Sequence, residues 1–302
     1  MASYTPWRFN LTKFLRLFRI ALLTLLVTYL AINAGLGWVY VYILTHPACP
    51  VAPRPGLDLP PPDEYLLETS DGLQLRAWYY PSANGAAVLA LGGLQGALGG
   101  SLPPAGFLVD QGYGVLQLDS RMCAEPPRAV TLGYAEVRDA KAGLAFLLDR
   151  PEVDPERVGV FGFSMGGVTA IRAAAQNPQI AAIVAEGGYD NLGRDILEPG
   201  RPKSILHQIL LYFIAGSYWI QIGENPWLLS PIDDLPAISP RPVLLIYGEH
   251  ELNSGQGDRQ YAAAGDPKEL WIVPAGDHGR NHLVASEAYV TKILSFFDKY
   301  LK

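Results

Sequence analysis

Cysteine is scarce in this sequence: Cys49 and Cys123 are the only two among 302 residues. No Cys-x-x-Cys pair is present, which argues against a zinc ribbon or a dithiol redox site. Two cysteines say little about the cellular compartment, and nothing in the sequence favours or excludes a disulfide between them.

Basic tracts are absent beyond the N-terminus, and the net charge of −6 argues against nucleic-acid binding. Internal repeats and low-complexity runs are absent as well. A chain of this length that is 49% hydrophobic is long enough for one large globular domain with an appendage.

Charge is also missing from the 25 residues Ile20–Leu44. As a helix this run would be roughly 37 Å long, enough to cross a bilayer core of about 30 Å. The positive-inside rule predicts a cytoplasmic segment 1–19, a transmembrane anchor 20–44 and an extracytoplasmic catalytic domain. Four basic residues and no acidic ones precede the run: Arg8, Lys13, Arg16 and Arg19.

Two alternatives to a retained anchor stay open. Gly35 and Gly37 are small enough for signal-peptide cleavage before Trp38, and a buried core helix would have a similar composition. The apolar run continues past Trp38, which favours the anchor. Residues 45–64 include seven prolines. Because proline-rich chains are extended, this segment is predicted to be a stiff spacer that holds the domain off the membrane.

From residue 65 to 302, short apolar runs alternate with helical patterns. The first segment predicts a hairpin that turns at Asp71-Gly72. This alternation predicts a mostly parallel, doubly wound sheet, in which ligands bind beyond the carboxyl ends of the strands. Runs of strand length lie at 86–91, 114–119, 157–161, 180–186, 242–247 and 269–274, and helical patterns at 133–149, 165–176 and 285–300.

One serine lies between glycines where a predicted strand meets an alanine-rich helix, in the sequence Gly162-Phe-Ser-Met-Gly166. A sharp strand-to-helix turn strains the backbone of its central residue and leaves no room for flanking side chains. It would present the Ser164 hydroxyl at the positive end of the helix dipole. An incidental serine in a tight turn is the alternative interpretation.

A serine nucleophile needs a base and a carboxylate that orients the base. Glu251 and His278 each follow one of the last two predicted strands, which gives the chain order serine, acid, histidine. We predict His278 as the base, with His282 as its main rival. We predict Glu251 as the acid, with Glu249 as the second choice.

These features resemble the α/β-hydrolase superfamily over nearly all of 65–302, and in particular membrane-anchored bacterial serine hydrolases related to dienelactone-hydrolase and prolyl-oligopeptidase-like domains. The segments 133–167 and 230–251 carry much of the likeness. The resemblance implies an α/β-hydrolase fold with a small helical cap, inserted at about 190–235. It also implies an oxyanion hole formed by the backbone N–H groups of Met165 and Leu94.

Three features depart from the family pattern. Gly92 stands where a histidine is common, segment 119–126 lacks the frequent Arg-Gly-x-Gly, and Glu251 replaces the usual aspartate. Backbone donors survive changes of side chain, so we expect a reshaped pocket rather than lost catalysis. A non-catalytic binding protein of the same fold stays an alternative.

Motifs for cofactors and metals are weak. The glycine-rich segment 92–96 lacks the Gly-Lys-Ser/Thr ending of a phosphate-binding loop. His278 and His282 are four residues apart, without the glutamate of a His-Glu-x-x-His zinc site. We therefore expect neither a cofactor nor a metal.

Together these patterns predict a membrane-anchored serine hydrolase that cleaves a small-molecule carboxylic ester through an acyl-enzyme. A peptidase or amidase of the prolyl-oligopeptidase type is the enzymatic alternative. In the cap, the apolar segment 205–220 is expected either to be a buried helix over the pocket or to bind an acyl chain or dip into the membrane. The second option implies a preference for medium acyl chains over acetate. The oligomeric state stays open.

Overall fold

The computed structural model of the protein describes residues 10–49, 59–98, 106–198 and 204–302, and of residues 252–254 it describes the backbone only. Eight strands form one sheet in the order β1-β2-β4-β3-β5-β6-β7-β8. β2 is antiparallel to both of its neighbours, and β3 to β8 are parallel. The strands are β1 (Asp63–Glu68), β2 (Gln74–Tyr80), β3 (Ala87–Leu91), β4 (Gly114–Leu118), β5 (Val158–Phe163), β6 (Ala182–Glu186), β7 (Val243–Gly248) and β8 (Lys268–Val273).

The predicted doubly wound sheet is confirmed, and each predicted strand lies within two residues of its observed bounds. The first hairpin turns at Asp71-Gly72, where the Gly72 N–H donates to the Thr69 carbonyl at 2.9 Å. The central strands β3, β5, β6 and β7 are buried at every position. This burial explains why they read as continuous apolar runs rather than as alternating ones.

Helices cover both faces of the sheet. α3 and α4 pack on one face and α2 and α10 on the other, each through a separate apolar cluster. The helices are α1 (Leu11–Thr45), α2 (Gly106–Asp110), α3 (Glu136–Leu148), α4 (Met165–Gln176), α5 (Leu192–Leu197), α6 (Ile205–Ile222), α7 (Pro231–Asp234), α8 (Gln256–Ala263), α9 (Asn281–Val284) and α10 (Ser286–Leu301).

The N-terminal helix α1 is longer than the predicted anchor, and its C-terminal end contacts the domain. One residue in every four is buried along this end, and the Val130 N–H donates to the Thr45 carbonyl at 2.8 Å. The sequence did not predict this contact, and the role of segment 45–64 as a spacer that holds the domain off the membrane stays a prediction. Residues 50–58 of that spacer lie outside the described residues. The buried stripe consists of Asn33, Gly37, Val41 and Thr45.

The cap helix α6 packs along α1. A Cβ atom at Gly37 would lie 2.9 Å from the carbonyl carbon of Phe213, so the two helix backbones are in contact. The Tyr29 hydroxyl donates to the Leu206 carbonyl at 2.6 Å, and the Gln221 side-chain amide donates to the Trp38 carbonyl at 3.0 Å. The two helices therefore run side by side in the same direction. Within the described residues, both are long and apolar enough to cross a membrane.

A disulfide joins Cys49 to Cys123, with their Cα atoms 5.5 Å apart. Cys49 follows α1, and Cys123 ends a short 3₁₀ turn after β4. The bond therefore fastens the end of α1 to the sheet. No sequence signal indicated this pairing, because the two cysteines are separated by 74 residues.

Replacing both cysteines by serine should lower the free energy of unfolding by about 2–4 kcal/mol, because the bond closes a long loop in the unfolded chain. Urea unfolding of the full chain in detergent micelles would measure this loss. A reductant should have the same effect on the unmodified protein and none on the double variant. Two titratable thiols in the oxidised protein would contradict the bond.

Candidate active site

Ser164 lies in a strained turn between β5 and α4. Its backbone has φ +56° and ψ −120°, and its N–H donates to the Glu186 carbonyl at 2.7 Å. A Cβ atom at Gly162 would lie 2.0 Å from the Gly166 oxygen, and one at Gly166 would lie 2.1 Å from the Leu91 oxygen. The two glycines of the motif are thus required because backbone lies where their side chains would be.

His278 and Glu251 meet Ser164 at the carboxyl end of the sheet. The His278 Nε2 atom is 3.0 Å from the Ser164 hydroxyl oxygen, and its Nδ1 atom is 2.8 Å from Glu251 Oε1. The other oxygen of Glu251 accepts a hydrogen bond from the Gly248 N–H at 2.6 Å. The carboxylate is therefore held on one side by the backbone and orients the imidazole with its other oxygen.

The environment favours the charged form of His278. The hydrogen bond to Glu251 raises the pKa of the imidazole above its ordinary value of 6.5, and partial burial opposes this shift. The charges of Glu251 and Glu186 act in the same direction as the hydrogen bond. An imidazole with a raised pKa accepts a proton from serine more readily, provided that the pH keeps it neutral beforehand.

The rival residues lie elsewhere. Glu249 accepts a hydrogen bond from the Ala275 N–H at 2.8 Å and so joins the loops after β7 and β8. His282 lies on α9 with its ring 6.2 Å from that of Tyr289, and burial lowers its pKa. The structure brings Ser164, His278 and Glu251 together and leaves both rivals outside this arrangement.

Both predicted oxyanion donors line the cavity that contains Ser164. Met165 is the first residue of α4, where helix geometry leaves its N–H without an intrahelical partner. The loop at Leu94 is fixed because the Ser120 hydroxyl donates to the Leu94 carbonyl at 3.0 Å. That these two N–H groups bind an oxyanion stays a prediction.

The glycine at position 92, where the resembling family often has a histidine, has a steric cause. A Cβ atom there would lie 2.2 Å from the carbonyl carbon of Gly96, so a histidine would displace the loop that carries Leu94. Segment 119–126, which lacks the frequent Arg-Gly-x-Gly sequence, instead contributes side chains to ion pairs and to the disulfide. Arg121, only 2% exposed, forms ion pairs with Asp139 and Asp71, while Cys123 is in the disulfide.

A second carboxyl group, that of Glu186, lies behind the three groups Ser164, His278 and Glu251. Glu186 is fully buried and accepts hydrogen bonds from the Asn281 amide at 2.9 Å and the Tyr289 hydroxyl at 2.5 Å. Burial raises its pKa to about 7. The same Asn281 nitrogen is 3.5 Å from Glu251 Oε2, so this amide lies between the two carboxyl groups. Neither Glu186 nor Asn281 was predicted from the sequence, in which the one signal was a glutamate that ends an otherwise apolar strand.

A cavity of about 510 Å³ extends from the serine, within the size range that buries a drug-sized ligand. Its walls come from the turn at Ser164, from the cap helices α5 and α6, and from α1, whose contribution was not predicted. The lining residues are Tyr40, Val41, Leu44, Leu94, Leu132, Ser164, Met165, Gly187, Tyr189, Leu192, Asp195, Ile196, Leu211, Ile214, Tyr218, Gln256 and His278. Among the described residues, no group of three histidine, cysteine or acidic side chains could hold a metal ion.

Solved structures share this architecture. The Pyrococcus furiosus esterase Pf2001 superposes with a TM-score of 0.64 at 22% identity, covering 86% of this chain and 99% of that one. This chain has the α/β-hydrolase fold. The acylaminoacyl peptidase of Pyrococcus horikoshii superposes with a TM-score of 0.60 at 22% identity, covering 80% of this chain and 42% of the peptidase.

Sequence comparisons point to the same group of proteins. A model of the dienelactone hydrolase family matches residues 128–205, which include the Ser164 turn. The uncharacterized protein Rv2307c of Mycobacterium tuberculosis is 28% identical over 265 residues, covering 85% of this chain and 86% of that protein. These matches support a hydrolase of the dienelactone-hydrolase or esterase type.

Replacing Glu251 by glutamine should lower the pKa of His278, because the largest cause of its upward shift is removed while burial remains. Only the neutral imidazole accepts the serine proton, so labelling of Ser164 by a fluorophosphonate should be half-maximal above pH 6.5 in the unmodified protein. In Glu251→Gln the midpoint should move to lower pH and the plateau rate should fall about 10²–10⁴-fold. Glu249→Gln is the matched control. A shift in the control alone would identify Glu249 as the acid.

Replacing Gly92 by alanine should displace Leu94 through the contact with Gly96. Loss of one oxyanion donor lowers kcat by about 10²–10³. Ester hydrolysis by the variant would measure this, with Gly35→Ala as control because a Cβ there meets nothing within 4 Å. A rate within about threefold of that of the control would refute the assignment of Leu94, because such a change lies far below the loss expected for one oxyanion donor.

Proposed function

We propose that this protein is a serine hydrolase that cleaves a carboxylic ester through an acyl-enzyme, and that α1 anchors it in a membrane. The observation that carries this proposal is the continuous series of hydrogen-bonded groups from Glu251 through His278 to Ser164, placed at the wall of a largely apolar cavity. Acyl transfer needs a nucleophile, a base and an orienting acid in this order.

In the first half of the reaction, His278 Nε2 takes the proton of the Ser164 hydroxyl as its oxygen attacks the ester carbonyl carbon. The carbonyl oxygen becomes an oxyanion, and the N–H groups of Met165 and Leu94 donate to it. Glu251 stabilises the imidazolium that forms. The imidazolium then gives its proton to the departing alkoxide, which leaves as an alcohol.

In the second half, His278 takes a proton from water as the water oxygen attacks the acyl carbon. The resulting intermediate collapses, the bond to Ser164 breaks, and the serine oxygen regains a proton from His278. The products are a carboxylic acid and the free enzyme. The ester and one water molecule are the only reactants that these steps consume.

The cavity favours uncharged substrates. Asp195 lines it, and burial raises the pKa of this carboxyl group, with the Asp190 carboxylate adding to the effect. The burial that disfavours the charged form of Asp195 would also disfavour a negative charge on a substrate placed next to it. The remaining walls are mostly apolar or aromatic, which suits a hydrocarbon acyl group.

The proposed topology places the hydrolase domain outside the cytoplasm. Support comes from Lys13, Arg16 and Arg19 at the N-terminal end of α1, because basic residues flank the cytoplasmic side of membrane helices. The Cys49–Cys123 disulfide agrees with this side, since disulfides persist in oxidising compartments.

The decisive test is covalent labelling followed by turnover. A fluorophosphonate should label the full chain, and Ser164→Ala should lose both labelling and hydrolysis of p-nitrophenyl esters while its melting temperature is retained. His278→Ala should lose at least three orders of magnitude in kcat/KM, about the scale of general-base catalysis. The matched variant His282→Ala should not. Labelling that persists in Ser164→Ala would overturn the proposal, and cleavage of anilides in preference to esters would favour an amidase.

A further inference from the structure

From Tyr29 onward, the anchor helix and the cap helix present one continuous surface that is mostly apolar. α6 contains no Asp, Glu, Lys or Arg, although it includes His207 in its first turn, and its contact with α1 begins at Tyr29, well inside the uncharged run of that helix. Large apolar side chains of both helices remain exposed beside this contact. They include Leu36, Val39 and Ile43 on α1 and Leu206, Tyr212 and Ile220 on α6.

The contact fixes the depth of α6 relative to α1. From Tyr29 to Thr45 the helix rises about 24 Å, most of the thickness of a bilayer core. Since α6 begins beside Tyr29, an α1 that crosses the membrane would place α6 alongside its outer portion. The exposed apolar face of α6 then faces lipid rather than water.

The same two helices form one wall of the active-site cavity. Tyr40, Val41 and Leu44 of α1 line it together with Leu211 and Ile214 of α6. Val41 is 1% exposed, whereas Val39 is 54% exposed. One side of α1 therefore faces the cavity and the other side faces the surroundings of the protein. Tyr40 lines the cavity and is also 53% exposed, so this residue contributes both to the cavity wall and to the molecular surface at α1.

We propose that the substrate is a long-chain acyl ester of a bilayer lipid, which reaches Ser164 sideways from the membrane along α1 and α6. Tyr40, Val41 and Leu44 contact its acyl chain, so the anchor helix is also part of the substrate site. This inference rests on the proposed esterase function. The esterase function alone does not require α1, whereas this inference requires α1 to select the acyl chain.

The test uses the full chain in phosphatidylcholine proteoliposomes with two fluorogenic esters, umbelliferyl acetate in the water and umbelliferyl oleate in the bilayer. Val41→Trp fills the cavity from the α1 side. It should lower the ratio of kcat/KM for oleate to that for acetate at least tenfold. Ile43→Trp, at a position 66% exposed and outside the cavity lining, is the matched control and should leave the ratio unchanged.

Two further measurements keep the test independent of folding and of the esterase proposal. Labelling of Ser164 by a short-chain fluorophosphonate reports that each variant is folded, and Leu44→Trp probes the same wall at a half-buried position. Oleate in the enzyme's own vesicles should be cleaved faster than oleate in separate vesicles. If acetate is cleaved but oleate is not, or if Val41→Trp and Leu44→Trp both behave like Ile43→Trp, this inference is wrong and the esterase function stands. If neither ester is cleaved and Ser164 is not labelled, the esterase function fails and this inference fails with it.

Discussion

Backbone-to-backbone contact around the serine turn is the constraint on which the rest of the site depends. The carbonyl groups that end β3 lie against the first turn of α4 so closely that Gly166 cannot carry a side chain. This contact brings the nucleophile, the first N–H of α4 and the loop after β3 to one place. The strained backbone conformation of Ser164 persists because the buried strands on both sides fix where the turn begins and which way it runs.

The parts of the fold that depend on local patterns could be predicted from the sequence. Apolar runs gave the strands, and Asp71-Gly72 gave the hairpin turn. The proximity of Ser164, Glu251 and His278 followed from a motif and from chain order, because the carboxyl ends of parallel strands meet at one edge of a sheet. Both glutamates follow the same strand, and Glu251 was chosen over Glu249 on its position three residues past Gly248.

The parts that were missed depend on contacts between distant segments. Composition marked α1 as apolar but could not show which of its faces packs on the domain, since every face is apolar. The disulfide and the Asn281 amide between Glu186 and Glu251 join residues far apart in the chain. Such pairings leave no periodic signal, so only the folded arrangement reveals them.

The docking of α1 bears on how the protein is prepared for study. Membrane-anchored enzymes are commonly expressed without their anchors to obtain a soluble domain. Here that truncation would remove Val41 and Leu44 from beside the serine and leave Leu211 and Ile214 of the cap facing solvent. A truncation that extended past Cys49 would also leave Cys123 without its partner. The shortened chain would therefore differ from the native protein in having an open pocket and a new apolar patch, and a cut beyond Cys49 would add an unpaired thiol.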